Sequence, residues 1–154
     1  MKKIRHVLFV CTGNSCRSIM AEAYLKKRVK EEKLPIKVQS VGTLGVDGMI
    51  PTEETIAVLK NEEIDASEYR SKPLDEDSIK WADIIFVMEP MHKTKIMEMV
   101  PGSIEKIRFL GEFSAGHEDI AIPDPIGQPL PYYRQSLRRI KEAVDAFIKW
   151  VKKK

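Results

Sequence analysis

Cysteine is scarce in this chain of 154 residues: there are two, Cys11 and Cys16, five positions apart. Such a pair does not make the disulfide framework of a small secreted scaffold. No stretch after Met1 reads as a signal peptide, so a reducing, cytoplasmic location is expected. No apolar run approaches the roughly 18 residues that a membrane span needs. Aromatic residues are few, at 7%. Neither sign of charge dominates: 26 Lys and Arg stand against 23 Asp and Glu, a net charge of +3. That excess is too small to argue for a nucleic-acid partner, although it would help draw an anionic substrate to a basic cleft. The terminal "KWVKKK" suits the carboxyl end of a helix dipole better than a lipid surface. Internal repeats, low-complexity tracts and metal-ligand clusters are all lacking, so no cofactor and no metal are expected. The three histidines, His6, His92 and His117, are dispersed and read as surface or structural residues.

What is present fits one globular domain over residues 1–154, large enough to bury roughly 68–70% of the surface its unfolded chain exposes. "IRHVLFVC" reads as a buried strand. From Arg17, the residues Met20, Ala21, Tyr24, Leu25 and Val29 recur at helical spacing. "PIKVQS" is a second strand, followed by the loop "VGTLGVDGMI". Pro51 suits the first position of a helix that Ile56 and Leu59 continue. "SKPLDEDSIKWA" reads as a short helix, "DIIFVM" as a strand, "EPMHKTKIMEMV" as a helix and "IEKIRFL" as a fourth strand. From Pro131, the residues Tyr133, Leu137, Ile140, Val144, Phe147 and Val151 mark one face of a long helix. Met88, Met91, Met97 and Met99 read as packing residues. Strands alternating with helices imply an α/β fold with a parallel sheet covered on both faces, and such sheets bind ligands at the carboxyl ends of their strands. The stretch from Gly111 to Pro131 shows little periodicity, and long loops of this kind in compact domains are often functional.

The loop after the first strand, "CTGNSCRS", concentrates reactive chemistry. Cys11, five residues and Arg17 form C-x5-R. A loop leading into a helix N-terminus can turn its backbone N–H groups inward as an anion nest. Gly13 lets the backbone turn without a clash, and Asn14 tolerates the left-handed conformation. Arg17 can grip two phosphate oxygens through its planar fork. The same positive field would stabilise a thiolate at Cys11, since cysteines in such sites ionise at a pKa of roughly 3.5–7.5.

"VCTGNSCRS" resembles the signature of the low-molecular-weight protein tyrosine phosphatases, C-x-G-N-x-C-R-S near the N-terminus, and "MAEA" just after it also matches. The resemblance extends over nearly the whole chain in length and element order. It implies a four-stranded parallel sheet flanked by helices on both faces, with the phosphate-binding loop after strand 1. It also implies Cys11 as nucleophile, Arg17 as phosphate ligand and Ser18 as the hydroxyl that stabilises the thiolate. Thr12, Gly13, Asn14, Ser15 and Cys16 would complete the phosphate cradle. The family's general acid lies in a late D-P motif, which "PDPIG" offers as Asp124-Pro125; Asp119 and Glu118 compete in the same loop. "QSVGT" resembles the stretch whose serine supports the loop asparagine, implying a Ser40–Asn14 contact. Cys16 either packs inward or forms a reversible disulfide with an oxidised Cys11. The implied partners are a phosphorylated protein substrate and, as competitive ligands, free phosphate or other oxyanions.

Several positions depart from the phosphotyrosine members. Ser15 stands where isoleucine is usual, Ile126 and Gly127 follow the D-P where aromatics are frequent, and "GTLGVDG" lacks a tryptophan. Phosphotyrosine needs apolar and aromatic walls. The remaining wall candidates are Ile126, Tyr132 and Tyr133, with Tyr69 elsewhere in the chain. A small polar residue at Ser15 resembles instead the branch that acts on phosphoarginine in proteins. Glu68 stands near where a histidine often braces the loop asparagine. Two other readings share parts of the pattern. A thioredoxin-coupled arsenate reductase would need further cysteines downstream, and "FVMEPMHKTK" has none. A non-hydrolytic phosphocarrier would need neither Arg17 nor Asp124, and in the same class a phosphate-binding module without catalysis would be expected to lose Cys11 or Asp124, both of which are present.

Overall fold

Period-2 alternation along the first strand decides which side of the molecule each residue faces. In the computed structural model, which describes residues 3–114 and 120–154, β1 spans His6–Cys11. Val7, Phe9 and Cys11 point to one face of the sheet, and Leu8 and Val10 to the other. The strands β2 (Lys37–Gly42), β3 (Ile84–Val87) and β4 (Ile107–Phe109) complete a four-stranded sheet in the order β2-β1-β3-β4. Every pairing is parallel, and Cys11 lies beside Gly42 in the β1–β2 register. Nearly every residue of β1 and β3 is buried, as expected for strands covered on both faces.

On the Cys11 face pack α1 (Arg17–Glu31), α2 (Glu53–Lys60) and α5 (Leu130–Lys152). On the other face pack α3 (Glu76–Trp81) and α4 (Pro90–Met99). The face expected of α5 is the observed one: Tyr133, Leu137, Ile140, Val144 and Phe147 are buried. Phe86 stacks on Phe9 at 5.6 Å between ring centroids and meets Phe147 edge-on at 5.0 Å. Each such buried ring contributes roughly 1.5–3 kcal/mol.

Several boundaries differ from expectation. The helix read in "SKPLDEDSIKWA" begins only at Glu76, because the Asp75 carboxylate accepts the Ser78 N–H at 2.7 Å and caps it there. The second helix starts at Glu53, not at Pro51, because the Thr52 hydroxyl accepts the Thr55 N–H at 3.2 Å and caps it. The fourth strand is three residues long, because Pro101 opens a 3₁₀ turn that runs to Lys106. A short strand suits its place at the sheet edge. Met91 is exposed rather than packed, whereas Met88 is in the core and Met97 and Met99 pack against the α3–α4 side.

Candidate active site

The loop 12–16 joins the carboxyl end of β1 to the first turn of α1, so it sits where the sheet edge and a helix N-terminus meet. Two neighbouring segments hold its backbone. The Cys11 and Thr12 carbonyls accept the N–H groups of Thr43 and Leu44, both at 2.9 Å. The Ser15 carbonyl accepts the Thr52 N–H at 3.2 Å. Asn14 is the left-handed residue of the loop, with φ of 53°. Gly13 supplies space: a Cβ there would lie 3.3 Å from the Ser15 hydroxyl.

Cys11 is buried, and its sulfur lies 2.8 Å from the Ser18 hydroxyl. Burial pushes the Cys11 thiol above its ordinary value; Arg17, the Ser18 hydroxyl and the Ser18 and Asn14 backbone donors pull it down. The expected acidification therefore meets a larger opposing effect, desolvation. Any thiolate at this position depends on those donors.

Arg17 is 1% exposed, unusual for an arginine. Its Nη1 donates to Glu89 and to the Ile122 carbonyl, the latter at 2.8 Å. Its Nη2 lies 3.5 Å from both the Thr12 hydroxyl and the Asp124 carboxylate. Its buried Nε has no hydrogen-bond partner among the described residues. Glu89 thus holds one side of the guanidinium, and an unpartnered donor remains for an oxyanion. Asp124 is one-third exposed, and its other oxygen accepts the Ile126 N–H at 3.1 Å.

Asn14 donates its amide hydrogens to Ser18 at 2.7 Å and to Ser40 at 2.8 Å, and its oxygen accepts the Lys72 N–H at 2.9 Å. The brace implied at Ser40 is therefore present. Glu68 is exposed and takes no part in it. Cys16 is buried beside the Thr52 hydroxyl at 3.6 Å and the Tyr133 hydroxyl at 3.9 Å, so it packs inward, and both cysteines are free.

Ile126 and Tyr132 are exposed, as wall residues must be. Tyr133 is not a wall: it is 1% exposed, held in the core on the inner face of α5, where burial pushes its hydroxyl up to about 12. Tyr69 packs against the core, with Lys26 over its ring. Leu44, which the sequence reading did not single out, is exposed next to the loop. Asp119, Glu118 and His117 lie outside the described residues.

Three further residues escaped the sequence reading. Glu89 follows β3, at the same sheet edge as the loop, and the strand-end rule could have found it. His92 is buried beside the site: its Nδ1 accepts the Glu89 N–H at 3.1 Å, and its Nε2 lies 3.0 Å from the Thr12 hydroxyl. The ring is therefore the Nε2–H tautomer, and burial followed by the charge of Arg17 pushes it down to about 4. Gly42 lies against the loop backbone, where a Cβ would fall 2.7 Å from the Thr12 carbonyl oxygen. Among the described residues no group of three His, Cys, Asp or Glu could hold a metal ion. No described helix is long and apolar enough to cross a membrane.

Comparison with known proteins agrees with this geometry. Residues 6–154 match the family model described as low molecular weight phosphotyrosine protein phosphatase. The chain is 36% identical over 140 residues to a protein-arginine-phosphatase of Geobacillus stearothermophilus, covering 90% of each. It is 32% identical to a protein-arginine-phosphatase of Bacillus subtilis, covering 96% of this chain and 97% of that one. The solved low molecular weight protein tyrosine phosphatase of T. tengcongensis superposes with a TM-score of 0.87 at 35% identity, over 94% of this chain and 98% of that one. The chain belongs to the low molecular weight phosphotyrosine protein phosphatase family and is a phosphatase.

Proposed function

We propose that this phosphatase removes phosphate from arginine side chains of proteins, with phosphotyrosine as the poorer substrate. The observation that carries this reading is Ser15. It is 4% exposed, and its hydroxyl, which lies over Gly13, has as its partner only the Cys16 sulfur at 3.8 Å among the described residues. A hydroxyl with so weak a partner suits a polar guanidinium. Isoleucine there would add apolar bulk suited to a ring. The exposed neighbours Leu44 and Ile126 are aliphatic, and Tyr132 is the one exposed aromatic side chain among the wall candidates. The names of the Geobacillus and Bacillus relatives support the same substrate class. Two free thiols suit a reducing, cytoplasmic location.

In this reading Cys11 attacks phosphorus as the thiolate, and the bond from phosphorus to the guanidinium nitrogen breaks. Asp124 gives its proton to that departing nitrogen. The phosphocysteine is then hydrolysed: Asp124, now a carboxylate, takes a proton from the attacking water, and phosphate leaves with Cys11 regenerated. Arg17 and the amides of Thr12, Gly13, Asn14, Ser15 and Cys16 hold the equatorial oxygens as charge redistributes. Glu89 keeps the Arg17 fork in place for that task. The exposed Ile126 and Tyr132 carry the flanking protein chain.

The test compares kcat/KM on phosphoarginine and phosphotyrosine peptides of one sequence, for the wild type and for Ser15→Ile. The expected result is a preference for phosphoarginine that Ser15→Ile lowers by at least about tenfold, in line with the loss of one polar contact to a charged group. A ratio unchanged by the substitution removes Ser15 as the selector. A wild type that prefers phosphotyrosine overturns the proposal.

A further inference from the structure

We infer that Glu22, on the outer side of the loop, is a positioning residue for the Cys11 thiolate. It sets the donor directions of a hydrogen-bond chain that runs through Ser40, Asn14 and Ser18 to the sulfur. The inference rests on the reading of Cys11 as nucleophile and is independent of the substrate preference.

The chain can be followed proton by proton. Glu22 is buried on the first turns of α1, with one oxygen 2.7 Å from the Lys26 ammonium. Its other oxygen lies 2.6 Å from the Ser40 hydroxyl. An ionised carboxylate accepts and cannot donate, so the Ser40 proton points at Glu22. The Ser40 oxygen must then accept from Asn14, which turns the NH2 end of the amide toward it. The Asn14 oxygen is correspondingly turned to the Lys72 N–H. The second amide hydrogen goes to the Ser18 oxygen. Ser18, accepting there, has its own proton left for the Cys11 sulfur 2.8 Å away. A thiolate is stabilised by a donor and not by a competing acceptor.

Lys26 makes the carboxylate matter. It is held charged: burial opposes its charge, and the Glu22 hydrogen bond and charge overcome that. In Glu22→Gln the ammonium would claim the amide carbonyl, and the NH2 group would face Ser40. Ser40 would then accept from both amides, and its own proton would lose the anionic acceptor that now holds it. Without that acceptor the Ser40 oxygen is less polarised and accepts the Asn14 hydrogen more weakly, so the links from Asn14 through Ser18 to Cys11 weaken in turn.

Through-space electrostatics predicts the opposite sign. Glu22 is a negative charge, and removing it alone would favour the thiolate. The other charged and titratable groups around the chain stay the same: Arg17 facing Cys11, Asp124 and Glu89 paired with Arg17, and Lys26 and Tyr69 facing Glu22.

The experiment measures iodoacetamide alkylation of Cys11 against pH, with the modified cysteine assigned by tandem mass spectrometry. Alkylation needs no phosphorylated substrate, so its result stands apart from the arginine preference. Glu22→Gln is expected to raise the midpoint by about half a unit to one unit, a roughly three- to tenfold lower thiolate fraction below it. Ser18→Ala also raises the midpoint, and Glu22→Gln then adds nothing, because the last link is gone. Ser40→Ala cuts the chain at another point and shifts the midpoint in the same direction, which keeps the test decisive if Glu22→Gln does not fold. A midpoint that falls or stays put in whichever of these two variants folds overturns the inference. So does full additivity of Glu22→Gln with Ser18→Ala.

Discussion

Gly42→Ala, a change of one methyl group, is expected to damage activity more than stability. Gly42 ends β2 beside Cys11 and has an ordinary, negative φ, so its need for glycine is one of space alone. A Cβ there would stand 2.7 Å from the Thr12 oxygen and 3.0 Å from both the Asn14 nitrogen and the Gly13 carbonyl carbon. All three are backbone atoms of the loop 12–16, which cannot swing away as a side-chain tip can. Ordinary contact begins near 3.4 Å, so the loop must retreat by about 0.7 Å. Overpacking of this kind costs about 2 kcal/mol, which lowers Tm by about 4–8 °C in a domain of this size. A displacement of this order at the reacting groups costs about ten- to a hundredfold in rate. The assay is kcat/KM on an aryl phosphate well below Tm, with thermal unfolding followed by circular dichroism. Activity within twofold of the wild type would refute the reasoning, because it would mean that the loop absorbs the methyl group without moving the amides around phosphate.

Asp124→Ala is expected to lower kcat by about 10²–10⁴-fold on substrates with poor leaving groups and far less on those with good ones. Equal losses across a leaving-group series would remove Asp124 as the acid. His92 gives a stability prediction: held neutral in the fold down to about 4, it takes up a proton near its ordinary 6.5 once unfolded. The unfolded chain therefore binds more protons in that window, and stability falls as pH drops from about 6.5 toward 4. The wild-type Tm should slope downward there, and His92→Phe should flatten the slope; an unchanged slope would show that His92 does not titrate this way.

Much of the fold was legible because its signals are local. The continuous apolar run of β1, the helical spacing from Arg17 and the apolar stripe from Tyr133 to Phe147 are signals carried by short windows, and each is found in place. The boundaries that moved did so for reasons equally local but weaker in the pattern: a threonine cap outweighed Pro51, and Pro101 cut the fourth strand short. Tyr132 and Tyr133 show the limit of such reading. They are adjacent, and only the rotation of α5 against the sheet decides that one is half exposed and the other is core.

Cys11, Asn14, Ser15, Arg17 and Ser18 are close along the chain, so local spacing was enough to place them together between a strand and a helix. The tertiary structure decided what surrounds that loop. Glu89 on Arg17, His92 on Thr12, Glu22 behind Ser40 and Gly42 against the loop backbone are 18 to 80 residues away from the groups they touch or sit behind. Parallel strands bring their carboxyl ends to one edge whatever their distance in sequence, and the packing of that edge sets which donors reach Cys11.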